Sequence, residues 1–180
     1  MKGVIFTEFL DMVDAQFSPE CTERIVAKAD LPSGGAYTAV GNYDHGEIVS
    51  LVTALSEETG VEVADLVHAY GYYLFGRFVA AYPQFFKGVP DALTFLQAVE
   101  THIHNEVCKL YPDASPPELR CETPERGVLI VEYRSDRGLA DVAHGLICGC
   151  VDHFDEDVKI KRDDLVAGTH VRFEIRRRSH

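Results

Sequence analysis

The side chains with the most chemistry in this 180-residue chain lie in two places. One is Glu132-Tyr133-Arg134-Ser135-Asp136-Arg137, and the other is the histidine-bearing stretch Thr101-His102-Ile103-His104. The apolar, β-branched run Val128-Leu129-Ile130-Val131 reads as a strand leading into the first. A strand sends alternate side chains to one face. Tyr133, Ser135 and Arg137 are therefore expected to project together, with Glu132, Arg134 and Asp136 turned the other way. Two hydroxyls and a guanidinium on one face suit a carboxylate, because arginine binds it bidentately and the hydroxyls donate to the remaining lone pairs. An anionic guest is expected at this face. The competing reading is an exposed edge strand with a salt-bridging arginine.

Hydrophobic periodicity gives the elements that must position these groups. Helices are expected over residues 2–18, 19–29, 44–60, 62–81, 91–111 and 139–153, and strands over 118–123, 127–134, 158–161 and 170–175. Ser115-Pro116-Pro117 marks the change from helical to strand character. The outline is α+β: a mostly helical N-terminal part, then an antiparallel sheet of about four strands with one helix. The length fits one domain over 1–180, divided into a helical part of about 1–60 and a sheet-bearing part of about 61–180.

On the 91–111 helix, Leu96, Val99, Ile103, Val107 and Leu110 are expected to form the main apolar stripe. His104 flanks it on one side, in line with Leu93 and Tyr111, and His102 on the other, in line with Phe95. Both could be polar residues bordering a buried face. Alternatively, one could be the axial ligand of a cofactor iron, a role that neutral imidazole suits. Spacing does not choose between them.

Composition narrows the class. A net charge of −12 argues against a nucleic-acid backbone or an anionic membrane as partner. No stretch is long and apolar enough for a membrane span, and Glu8 and Asp11 interrupt the only apolar start, so a cytoplasmic location is the expectation. The cysteines Cys21, Cys108, Cys121, Cys148 and Cys150 are odd in number and irregularly spaced, which favours reduced thiols. Cys148, Cys150 and His153 are donor types that suit zinc. Donors two apart on a helix point to different faces, however, and ordinary buried or surface thiols are the preferred reading.

Three segments in order resemble the H-NOX domains, the haem-binding nitric oxide/oxygen sensors of bacteria and of animal soluble guanylate cyclase. Met1-Lys2-Gly3-Val4-Ile5-Phe6-Thr7-Glu8-Phe9-Leu10 is similar to the family's opening. His104, followed by Tyr111-Pro112, matches its proximal segment, and Tyr133-x-Ser135-x-Arg137 its signature. The resemblance implies that haem b (iron protoporphyrin IX) is the cofactor and that His104, not His102, is the axial ligand. It also implies that Tyr133, Ser135 and Arg137 hold the haem propionates and that Pro117 presses on the porphyrin and distorts it. The haem would lie between the two parts of the domain.

Family members that hold O2 use a distal tyrosine on the helix after the signature. The matching position here is Val142, and Ile5, Phe9, Leu74 and Leu146 complete a distal set without a donor. Bound O2 gains from a hydrogen-bond donor and NO does not need one. The expectation is a sensor that binds NO and CO and excludes O2, with His144 and Tyr70, Tyr72 and Tyr73 as residues that could alter the pocket. By the resemblance, NO would release His104, the two parts would shift, and a separate protein would read the change. In this family that partner is typically a histidine kinase or a cyclic-di-GMP synthase or phosphodiesterase. The alternatives are an O2-binding haem sensor and a zinc/thiol redox sensor. An enzyme is not expected, because peroxidase chemistry wants distal polar groups and no hydrolase triad stands out.

Overall fold

The computed structural model describes residues 1–178. The chain begins with four helices, α1 (Gly3–Gln16), α2 (Pro19–Lys28), α3 (His45–Thr59) and the long α4 (Val63–Ala81). Their starts follow ordinary capping chemistry. Ser18 accepts from the Cys21 amide at 3.1 Å with Pro19 at the first helical position, and Asp44 accepts from the Gly46 amide at 2.6 Å. The apolar faces meet in one cluster that includes Phe6, Phe9, Met12, Ile25, Leu51, Leu55, Tyr70 and Leu74. Each such side chain contributes about 1.5–3 kcal/mol on full burial.

The C-terminal part carries a four-stranded antiparallel sheet of order β1-β2-β4-β3, with β1 Glu118–Glu125, β2 Val128–Arg134, β3 Val158–Val166 and β4 His170–Arg177. One sheet face, through Leu129, Val131, Tyr133, Val171, Phe173 and Ile175, packs on α5 (Ala92–Ala98) and α7 (Ala140–His153) in a second cluster. β2 is central and buried on both faces, which explains its unbroken apolar run. The sequence outline and the observed α+β architecture agree.

Helix α4 serves both clusters, giving Leu74 to the first and Phe75 to the second, while Leu146 on α7 packs against both. The pairing of α4 with α7 is the most extensive helix contact. It depends on two glycines. A Cβ on Gly71 would collide with the Val142 carbonyl, and one on Gly145 with the His68 carbonyl. Backbone lies against backbone there, a closeness that no larger residue permits.

Local features differ from the periodicity reading, among them β3, which continues to Val166 and not only to residue 161. The 91–111 segment is not one α-helix: α5 gives way to a π-helical turn at Val99–His104, and α6 (Asn105–Leu110) completes it. In addition, β2 ends at Arg134, so Ser135, Asp136 and Arg137 lie in the turn leading to α7 and not on a strand.

Candidate functional site

The π turn delivers the histidines. Asp91 caps α5 by accepting from the Thr94 amide at 2.7 Å, and Leu93, Phe95 and Leu96 anchor that helix in the second cluster. The wider winding then follows, and π turns of this kind concentrate at functional positions. His102 is exposed and its Nδ1 meets the Thr101 hydroxyl at 2.9 Å. His104 is half-buried, and its Nδ1 lies 2.8 Å from Glu100 Oε2. A carboxylate only accepts, so Nδ1 is the donor of this pair and Nε2 is the ring nitrogen left for another partner. The same Glu100 oxygen accepts from the Leu119 amide at 3.2 Å, which ties it to the start of β1 two residues beyond the half-buried Pro117. Glu100 was not singled out from sequence, although its i,i+4 spacing to His104 was a usable signal.

Tyr133, Ser135 and Arg137 are gathered by a different route from the one expected. Tyr133 leaves the end of β2 and is only 3% exposed. Burial pushes its phenol pKa up, against the pull of the Ser135 hydroxyl, the Leu139 backbone and Arg137. The Arg137 amide donates to Ser135 Oγ at 3.3 Å, and its guanidinium donates to the Ser115 carbonyl. The turn, and not strand alternation, thus gathers the three groups, with Arg137 held beside the Ser115–Pro117 segment. Nearby, Lys2 pairs with Asp113 at 2.9 Å and Asn42 donates to the same carboxylate, joining α1's start to the loop before β1.

Ile5 and Val142 line the first cluster, Leu146 sits between the two, and Phe9 and Leu74 are buried in the first. None of these side chains carries a donor. Tyr70, the fully buried tyrosine of α4, directs its hydroxyl to the Ile5 carbonyl at 2.5 Å and meets Phe9 edge-on at 5.3 Å. The Tyr72 hydroxyl donates to Asp152 at 2.9 Å. His144 turns toward His68 and Phe173, with ring centroids 4.8 and 5.5 Å away. The suggested zinc donors separate. Cys150 is buried with Sγ against the Ala92 carbonyl, His153 packs on Phe86 and Phe154, and Cys148 joins neither. Residues two apart on α7 face different neighbours, so that triad does not form.

The comparisons with known proteins bear on this arrangement directly. The family model described as Haem-NO-binding (HNOB) matches residues 2–162. The chain belongs to the haem-NO-binding, or H-NOX, family. It is similar to the Fe(II) unliganded H-NOX protein from K. algicida, with 34% identity, a TM-score of 0.93, and coverage of 100% of this chain and 98% of that one. It is also similar to the H-NOX protein from S. oneidensis in the Fe(II)NO state, at 26% identity and a TM-score of 0.90, covering 99% and 100%. The soluble guanylate cyclase gcy-35 of Caenorhabditis elegans is 22% identical over 151 residues, which cover 82% of this chain but 22% of that protein. The chain thus spans about a fifth of that curated relative's length. H-NOX domains are haem-based gas sensors. The residue types here are ones a haem would need: a half-buried imidazole at His104, two hydroxyls and a guanidinium at Tyr133, Ser135 and Arg137, and apolar side chains at Ile5, Phe9, Leu74, Val142 and Leu146. No helix among the described residues is long and apolar enough to cross a membrane.

Proposed function

We propose that this H-NOX domain senses nitric oxide, binds CO as well, and does not hold O2. The observation that carries the reading is the apolar set Ile5, Leu74, Val142 and Leu146, beside which the Tyr70 hydroxyl is already bonded to the Ile5 carbonyl. Haem b would supply a ferrous iron able to bind a diatomic gas. His104 would hold the iron through its imidazole, with Glu100 fixing the ring. Tyr133, Ser135 and Arg137 would hold the propionates, and Pro117 would press on the porphyrin. A donor aimed at the distal side would favour O2, and none of the apolar set offers one.

His104 lies on the π turn, which joins α5 and is tied to β1 through Glu100, so a change in what its ring holds would pass through these elements to the second cluster. The two parts of the domain, about 1–60 and 61–180, then shift between two arrangements, a change that a partner reads. That partner is a separate signalling protein, a histidine kinase or a cyclic-di-GMP synthase or phosphodiesterase, and the domain itself is not catalytic. The absorption spectrum of the reduced protein tests the reading. A strong Soret band that is unchanged in air and shifts with NO is expected. A stable oxygenated complex in air, or no Soret band at all, overturns it.

A further inference from the structure

Apart from the haem-site residues, three metal-ligating side chains converge where α4 packs on α7. The Nδ1 or Nε2 atoms of His68 and His144 and Sγ of Cys148 all lie within 4.8 Å of one another, and all three residues are half-buried. Two of them are one helical turn apart on the same face of α7, and the third is supplied by α4. The near-contact of the two backbones at Gly71 and Gly145 fixes the distance between these faces. We infer that His68, His144 and Cys148 form a zinc site that fastens α4 to α7.

The geometry suits the ion. Around tetrahedral zinc, with bonds of about 2.0–2.3 Å, ligand atoms sit about 3.5 Å apart. Closure from the observed separations therefore needs about 1 Å of movement, which side-chain rotation supplies. Two imidazoles and a thiolate are donors that zinc prefers, and three protein ligands leave one position for water. The fixed protein charges agree with this. Burial lowers the pKa of His144, as do facing His68 and the nearby Arg162, so the ring is a neutral donor. Burial, with Asp152 adding to it, raises the pKa of Cys148, so the thiol proton leaves for solvent only as the cation binds. Asp152, one turn further along α7, is already engaged by Tyr72. The site is separate from the distal wall. His144 is two residues from both Val142 and Leu146, about 200° around the helix, and its ring stacks on Phe173 of β4.

The haem-loaded full chain is first stripped of metal with a chelating resin, then given Zn(II) ions and passed through gel filtration. One zinc per chain is expected. Absorption at the zinc K-edge should show one sulfur and two imidazole nitrogens, a shell that haem does not obscure. His144→Gln and Cys148→Ser should each weaken zinc binding at least about tenfold, the lower end of what even a supporting group costs a metal site. His153→Gln should bind as the parent does. An unchanged far-UV spectrum and Soret band establish that the variants are folded, and the K-edge result on the parent stands without them. No retained zinc, a shell with two or more sulfurs, or full binding by His144→Gln overturns the assignment.

Discussion

Glu100 is the residue whose removal most directly separates positioning from ligation. It holds His104 Nδ1 at 2.8 Å and, through the same oxygen, the Leu119 amide. A carboxylate partner raises the basicity of an imidazole ligand, and losing such a partner costs a metal site 10–100-fold in affinity. Glu100→Gln is expected to keep the haem but lower the iron–histidine stretching frequency in the Raman spectrum. An unchanged frequency would show the contact to be structural only. His104→Ala should lose the Soret band altogether, while His102→Ala, at an exposed ring, should retain it. Under the proposed function, Val142→Tyr would place a phenol among apolar neighbours, and a stable oxygenated spectrum in air is the expected outcome for the variant but not for the parent. Of the α7 donors, Cys148 is legible in the sequence as a zinc-type donor, though grouped there with Cys150 and His153, and His144 is legible only as a residue on the distal helix. Their partner was not: His68 comes from a remote helix, and only the α4–α7 packing brings it to His144.

At the scale of elements, the site depends on the start of α5. Asp91 caps that helix, pairs with Arg177 at 3.0 Å and sits beside Glu156, which itself bonds Arg177 at 2.7 Å. Burial pushes the Asp91 carboxyl upward, but its bonds from Thr94 and Arg177 outweigh that and hold its pKa below the usual 3.8. A folded-state value below the unfolded one adds stability that is fully present above pH 3.8 and lost as pH falls through the lower, folded value. Asp91→Ala should therefore lower stability by about 1 kcal/mol at neutral pH, read by chemical denaturation, and flatten the acid limb of the stability profile. The elements themselves were largely legible because each carries a clean period: 3.6 for α1 to α4 and α7, alternation for β3 and β4. The π turn was not. One extra residue in a turn leaves Val99 and Ile103 at spacings that an α-helix also allows, and the i→i+5 bonds that define it leave no mark on composition. The end of β2 at Arg134 escaped for a similar reason, since Tyr-x-Ser-x-Arg alternates whether or not a partner strand continues beside it.

Across the whole molecule, the crossing of α4 and α7 holds the two hydrophobic clusters together. Gly71→Ala and Gly145→Ala each set a methyl against backbone carbonyl, and overpacking of this kind costs about 1–3 kcal/mol. Both variants should melt lower than the parent, and the pair together should lose less than the sum of the two, because the first displacement already opens room for the second methyl. A third variant, Gly76→Ala, places its methyl on the same helix in open space and should be neutral or mildly stabilising. The crossing also limits how the molecule can move. Where side chains interdigitate, one helix slides past another only by lifting ridges out of grooves. Bare backbones in contact at Gly71 and Gly145 present no ridge, so the easiest relative motion of the two helices is a swivel about that point. Leu74 and Phe75 lie just beyond the point on α4, and Val142 and Leu146 straddle it on α7. The crossing is a fulcrum, and the clusters on either side of it are lever arms.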